Sequence, residues 1–260
     1  MVRKHSNRIV YMTIALLIIG VCAAALFYHC TIYENHENRK SYFTIDTNTI
    51  FCFWTGNNEM SPKRKKCLDD LYEITECNVV LITPENLQDY LLDNQPLHAG
   101  YPFLSETHKA DYLRTYFMHF HGGGYSDIKT PSGNWKSAFE DIKKNPDIYM
   151  NGYRELEPNH VAVPHLSHHF NTLIGNCAYI SRPNTDLTRE WYNAMIELMD
   201  AKLNDLKSNP ATYPQEKPED GNGYPIEWEE MLGKIFIAKQ MNYLPRLLYT
   251  VPRPITSDYR

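Results

Sequence analysis

Two short stretches of the chain carry residue types that together can bind a charged, hydroxyl-rich ligand. The first is His108-Lys-Ala-Asp111-Tyr-Leu-Arg114, and the second is Gly122-Gly-Gly-Tyr125-Ser-Asp127-Ile-Lys129. Asp111 and Arg114 are three apart, so on a helix both project from one face. The glycines let backbone approach a ligand closely. A strand following them delivers Asp127 at its C-terminal end, where open α/β sheets bind their ligands. One small region thereby offers a carboxylate and a guanidinium on a helix and a second carboxylate on a strand. Carboxylates suit sugar hydroxyls, and cations suit a diphosphate, so the mixture is the one a sugar nucleotide requires. Read blandly, Asp111 and Arg114 form a surface ion pair of little energetic worth, and Gly122 to Gly124 form a helix stop.

Elements that would position these groups are readable on either side. Ile50-Phe-Cys-Phe-Trp54 is an apolar run ending in the turn residues Thr55-Gly56-Asn57-Asn58, which predicts a buried strand. Ser61-Pro62 opens a helix with Cys67, Leu68, Leu71 and Ile74 on one face. Asn78 to Thr83 reads as a second strand, and Pro84 to about Leu92 as a second helix. The alternation argues for a parallel sheet covered by helices. Ser105 caps a helix running to about Phe120, whose Leu113, Tyr116, Phe117 and Phe120 face the core. Further strands are expected at Tyr125–Ile128, at Asp147–Tyr153 (cut short by Asn151-Gly152) and at Leu173–Ser181. Thr185 or Asp186 caps a long helix through Trp191 and Met199. Asn209 to Asn222 reads as a mobile loop, and Glu227 to Ala238 as a helix.

The front of the chain differs from the rest. Ile9 to Tyr28 contains no Asp, Glu, Lys or Arg. About 20 apolar residues at roughly 1.5 Å each span a hydrocarbon core. Arg3, Lys4 and Arg8 precede the run and Glu34 and Glu37 follow it. The positive-inside rule then puts residues 1–8 in the cytosol, a transmembrane signal anchor at 9–28, a stem at 29–48 and a single domain at 49–260 on the far side. Ala23-Ala24-Ala25 also admits a reading as a cleavage site.

Composition excludes several classes. A net charge of -5 and a pI of about 6.1 argue against a nucleic-acid binder. No CxxC pair occurs among six cysteines, which argues against a structural zinc site. Buried thiols are the reading for Cys52, Cys67, Cys77 and Cys177, with Cys67–Cys77 the nearest pair if a disulfide forms. No Gly-x-Ser-x-Gly or HExxH is present to support a hydrolase. His165, His168 and His169 fit no common helical metal pair. They read as a solvated or acceptor-binding loop, and Asp220 or Glu227 is open to an acceptor contact. Nor does the chain contain an Asn-x-Ser/Thr glycan acceptor site.

The segment from Asp111 to Lys129 resembles the DXD-motif region of sugar-nucleotide transferases of the capsular-polysaccharide-synthesis and initiation-mannosyltransferase type. Those families have an Asp–Arg helix, a Gly-Gly turn, an aromatic and Asp-x-Asp. Ile50 to Trp54 resembles their opening strand, and Asn171 to Trp191 the stretch after the motif. The resemblance implies a GT-A fold, a Rossmann-like α/β/α sandwich, and a retaining glycosyltransferase using a nucleotide-diphosphate sugar. It implies that Asp111 and Arg114 contact the donor sugar, Asp127 the ribose or a metal, and Trp54 the base, with Tyr125 in the donor site. Asp127 and Asp111 would be the catalytic carboxylates. A glycan or lipid-linked acceptor and a membrane would be the partners, and a Golgi or other secretory lumen the location.

One position departs from the pattern. Lys129 stands where the second Asp of the motif would help hold Mn²⁺ or Mg²⁺. Either Asp127 binds a metal with help from Asp111 or a later residue, or the Lys129 ammonium itself neutralises the diphosphate. The departure also motivates a second function, a catalytically inactive GT-A-fold subunit kept for sugar-nucleotide binding or scaffolding.

Overall fold

The structure, a computed structural model, describes residues 44–257 and Tyr259, all within one compact unit, Ser41–Arg260. The expected cytosolic tail, the apolar run 9–28 and most of the stem lie outside the described residues. Among the described residues no helix is long and apolar enough to cross a membrane.

A six-stranded sheet organises the domain. Its strands are β1 (Thr49–Phe53), β2 (Asn78–Ile82), β3 (Gly123–Ser126), β4 (Met150–Arg154), β5 (Ile174–Ser181) and β6 (Leu247–Leu248), in the order β2-β1-β3-β5-β4-β6. The first three are parallel. β5 runs antiparallel to both β3 and β4, so the sheet is mixed where the alternation of elements predicted a parallel one. The α/β reading holds for its first half. The connection between β4 and β5, residues 155–173, contains no α-helix, only the 3₁₀ segments Pro158–His160 and Pro164–His169. A parallel pair needs a crossover of a dozen or more residues, usually helical.

Both faces of the sheet are covered. Ile50 and Cys52 of β1 pack with Cys67 and Leu71 of helix α1 (Pro62–Ile74) and with Ala138, Phe139 and Ile142 of α3 (Lys136–Lys144). Phe51 and Phe53 point the other way, into a core with Tyr112, Tyr116 and Phe117 of α2 (Glu106–Phe120) and Trp191, Met195 and Met199 of α4 (Asp186–Ser208). Phe236 of the short helix α5 (Ile235–Gln240) joins that core, 4.4 Å from Trp191 by ring centroids. β1 thus buries alternate residues on opposite faces, which is why its sequence reads as an unbroken apolar run.

Capping residues behave as their types require. Ser61, Ser105 and Thr185 accept from the backbone N–H three residues on, at Arg64, His108 and Thr188. α2 ends where Gly122, at φ +65°, closes the turn, its N–H donating to Phe117 O at 2.9 Å. Gly123 and Gly124 then belong to β3 rather than to the turn. A Cβ at Gly124 would sit 2.9 Å from Ile50 Cγ1 and 3.3 Å from Trp135 and Phe139, so the glycine admits Phe139 of α3 and Trp135 just before it against the strand.

Several expectations are corrected. Pro84–Leu92 forms a single 3₁₀ turn, Leu87–Tyr90, not a helix. Residues 209–222 are a structured loop, because Glu216 is fully buried and accepts from Thr212 Oγ1, Tyr213 N and Asn222 Nδ2. The helix expected at Glu227–Ala238 is present, starting as a π segment, Glu230–Lys234, that continues into α5. At the front, Ile45 is buried and Thr44 Oγ1 donates to His121 O, so the last residues read as stem pack on the domain. Cys52, Cys67, Cys77 and Cys177 are free thiols.

Asn151-Gly152 does not shorten β4. Asn151 is fully buried. Its Nδ2 donates to Ala138 O at 2.9 Å and Thr250 Oγ1 at 2.8 Å, and its Oδ1 accepts from Thr250 N at 2.9 Å. Asn151→Ala strands these groups without partners and is expected to cost about 2 kcal/mol. Urea unfolding should show a lower midpoint with an unchanged slope.

Candidate functional site

A cavity of about 640 Å³ opens at the C-terminal ends of β1 and β3. Trp54, Asp111, Arg114, Tyr125, Asp127 and Lys129 all line it. Sequence positions 54 to 129 are thereby brought to one place, as strand ends in an α/β sheet do.

Asp127 is the hub. It lies one residue past β3, where its N–H donates to Cys177 O of β5 at 2.8 Å. Tyr125 OH donates to its Oδ1 at 2.5 Å, Arg114 Nη2 stands 3.4 Å from the same oxygen, and Lys129 Nζ is 2.9 Å from Oδ2. Arg114 also pairs with Asp111 at 3.2 Å and donates from Nη1 to Asn176 O at 3.0 Å. Its guanidinium sits over the Tyr125 ring, 4.3 Å from the centroid. The result is a chain of alternating charges: Asp111, Arg114, Asp127, Lys129. The Asp111–Arg114 pair is not a surface pair, since the two residues are 4% and 7% exposed.

Burial and partners set the charge states. Burial would raise the Asp127 pKa, but Lys129 and Arg114 outweigh it and hold the carboxyl well below its usual range. Burial would lower Lys129, and the Asp127 carboxylate reverses that, so the ammonium stays charged above its ordinary range. Asp111 goes the other way: burial pushes it up to about 6, against the pull of Arg114 and with a further push from Asp127. The Cys177 thiol, which accepts from Lys129 Nζ at 3.0 Å, is driven by burial up to about 11 and stays protonated.

Three buried polar atoms of cavity-lining residues have no partner within the protein: Glu106 Oε2, Arg114 Nε and Asn176 Oδ1. Buried polar groups are ordinarily hydrogen-bonded, so these are groups a polar ligand would satisfy. Trp54 edges the same space, half-buried, its Nε1 donating to Asn58 O at 2.8 Å. Phe53 stacks on Tyr125 with centroids 5.6 Å apart.

A divalent metal fits this donor set poorly. Both oxygens of Asp127 already accept from donors, and the ammonium of Lys129 lies at hydrogen-bond distance where a cation would have to be. Magnesium-like ions are held by carboxylates together with substrate phosphates, and the carboxylate of Asp127 is already neutralised by Lys129 and Arg114. Among the described residues no group of three His, Cys, Asp or Glu side chains is placed to hold a metal ion. The metal role considered for Asp127 therefore lacks a supporting ligand set. His165, His168 and His169 lie on the 3₁₀ turn Pro164–His169, away from the cavity lining, whereas His160 is part of that lining. Asp220 and Glu227 also fall outside it. Asp220 accepts from Lys217 N, Glu227 pairs with Lys234, and Glu229 lines the cavity instead.

Residues 26–151 match the family model of capsular polysaccharide synthesis proteins. The matched stretch, just under half of the chain, contains β1, α2, β3 and every residue of the Asp111–Lys129 cluster. Among solved structures the chain is similar to the PaToxG glycosyltransferase, at 11% identity and a TM-score of 0.45, over 83% of this chain and 77% of that one. That likeness is distant in both sequence and backbone. No curated protein matches the chain.

Arg64 and Tyr259 are among the lining residues that escape a reading of the sequence. Arg64 enters from the first turn of α1, with Nη1 donating to Ile128 O at 2.7 Å. Tyr259 arrives from the other end of the domain. Neither neighbours the Asp111–Lys129 motif in sequence, and a lone Arg near a helix start carries no local signal of a ligand.

Proposed function

We propose that the protein is a glycosyltransferase that takes its sugar from a nucleotide-diphosphate donor held in the 640 Å³ cavity. The observation that carries the reading is the alternating cluster of Asp111, Arg114, Asp127 and Lys129 within one cavity that is also edged by Trp54. The donor's base packs against Trp54. Its diphosphate faces Lys129 and Arg114. Asp111 and the unpartnered oxygens of Glu106 and Asn176 face sugar hydroxyls.

Transfer requires the diphosphate to leave with an added negative charge. Fixed cations in a water-poor pocket stabilise such a charge without reorganising. Lys129 and Arg114 supply them, and Asp127 holds both in place. Asp111 and Asp127 orient the sugar and the cations, so that the acceptor meets the anomeric carbon on the face from which the diphosphate departs. Retention of anomeric configuration is part of this reading, on the strength of the motif's resemblance alone. The acceptor is a glycan or a lipid-linked sugar, in keeping with the family match.

In this reading Lys129 replaces the metal. Turnover by the full chain in detergent, measured as donor hydrolysis over a panel of nucleotide sugars, is expected to be unchanged by EDTA. Lys129→Ala is expected to lose about tenfold to a hundredfold in kcat/KM. Activity that collapses in EDTA and returns with Mn²⁺ would overturn the metal-free mechanism while leaving the transferase standing. The Asp127–Lys129 ion pair also favours one competing reading, an inactive sugar-nucleotide-binding subunit. Binding of a donor with no hydrolysis or transfer of any sugar in the panel would decide for it.

A further inference from the structure

The cationic end of the cavity is shared by two residues from different elements and one aromatic ring. Arg64 Cζ lies 4.6 Å from the centre of the Tyr259 ring, and Lys129 Nζ lies 4.8 Å from the same centre. All three residues line the cavity. The backbone explains the meeting. Arg64 donates to Ile128 O and Thr130 Oγ1 donates to Asp70 Oδ2 at 2.6 Å, so α1 clasps the segment on both sides of Lys129. The segment leading to Tyr259 runs beside that same strip, with Pro254 bridged to Pro131 and Ile255 N donating to Thr130 O at 2.8 Å.

We propose that Arg64 joins Lys129 and Arg114 in the anion cradle for the donor's diphosphate, and that the Tyr259 ring, seated on Arg64 and Lys129, is a tethered occupant which the diphosphate displaces. The inference rests on the sugar-nucleotide reading of the cavity and names the residues that select its charged group. The physical reason is competition for the same faces of two cations. A ring attracts a cation through its quadrupole. A diphosphate attracts it through full charges and bidentate hydrogen bonds, for which a guanidinium is well shaped. The phosphate oxygens win, but only after the ring moves, and the lost cation–π contacts are subtracted from the affinity.

Inorganic pyrophosphate binding to the full chain in detergent, by titration calorimetry, tests this directly. Tyr259→Ala is expected to bind pyrophosphate about tenfold more tightly than the unmodified protein, the gain expected from freeing two cations of a ring. Tyr259→Phe keeps the ring and should bind as the unmodified protein does. Arg64→Gln should weaken binding about tenfold, and adding Tyr259→Ala to it should recover less than Tyr259→Ala gains alone. Unaltered or weaker binding in Tyr259→Ala, or unaltered binding in Arg64→Gln, overturns the proposal; so does the absence of pyrophosphate binding in both the unmodified protein and Tyr259→Ala. The two readings separate cleanly. Pyrophosphate results as expected, with no nucleotide sugar bound or turned over, leave the anion cradle standing and remove the donor. Sugar turnover that ignores Tyr259 and Arg64 does the reverse.

Discussion

Asp127→Ala is expected to abolish turnover, with a loss of about a thousandfold, and to cost the fold about 3–5 kcal/mol. Both effects come from one geometry. Lys129 and Arg114 are 8% and 7% exposed, and each has Asp127 within ion-pairing distance. Removing the carboxylate leaves buried cations short of a partner, and breaking a buried pair from one side costs about that much. Tyr125 OH loses its acceptor as well. The chemical loss follows because the two cations are no longer held where the diphosphate charge develops. A lost fixed donor to a developing charge costs about a hundredfold to a thousandfold by itself, and here two are released together. Asp127→Asn separates the two effects. It keeps the side-chain shape and an oxygen to accept from Tyr125, so the stability loss should shrink while turnover stays low. Donor hydrolysis and a urea melt on both variants make the comparison. Full activity in Asp127→Asn would show that the charge of this residue has no part in the site.

The low pKa of Asp127 adds a pH signature. A carboxyl held below its unfolded value contributes stability that is present above the unfolded pKa, roughly 3.9, and is lost as pH falls further. In Asp127→Asn that acid-side loss should be smaller than in the unmodified protein.

How much of this could be read from residues alone differs by element. β1 was legible because a five-residue apolar run bounded by turn residues has the length and flanks of a strand covered on both faces. Ser61, Ser105 and Thr185 were legible because capping is local, decided within three residues. Asp111, Arg114 and Asp127 were legible as a group, since the helix period sets the first pair and the glycines set the turn that follows. The direction of β5 was not, because strand direction depends on the length and path of the return, and the 3₁₀ turns between β4 and β5 leave only a weak trace in sequence. Nor was the order in residues 209–222. Their polar, Pro-rich composition resembles that of unstructured loops, and what fixes them is one buried carboxylate, Glu216, gathering hydrogen bonds from Thr212, Tyr213 and Asn222. Arg64 and Tyr259 were missed for the same reason at longer range. They meet Lys129 only after α1 and the chain beyond β6 have packed against one strip of backbone.

The buried cluster as a whole carries balanced charge, and this makes the response of Asp111 opposite to that of Asp127. Asp111→Asn is expected to stabilise the folded protein at neutral pH by about 2–3 kcal/mol while lowering turnover. Burial, chiefly, and the Asp127 charge push the Asp111 carboxyl up to about 6, and Arg114 only partly opposes them. A carboxyl whose folded pKa lies above its unfolded value binds its proton more tightly in the folded state. Its ionisation therefore costs stability, and the cost grows as pH rises from about 3.9 to about 6 and is complete above that. Roughly two pKa units correspond to the figure given. Asn removes the ionisation and keeps the shape. Urea midpoints of the two proteins should then coincide near pH 4, diverge through pH 5 and 6, and run parallel above pH 7, with the variant more stable. Arg114 retains Asp127 and Asn176 O as partners in the variant, which is why the substitution does not strand a cation as Asp127→Ala does. The accompanying fall in donor turnover would mark Asp111 as a group kept ionised in the pocket at a cost to the fold, as functional sites commonly are. A variant less stable than the unmodified protein at pH 7.5, or a gap that widens as pH falls, would show that the Arg114 pairing outweighs burial at this carboxylate.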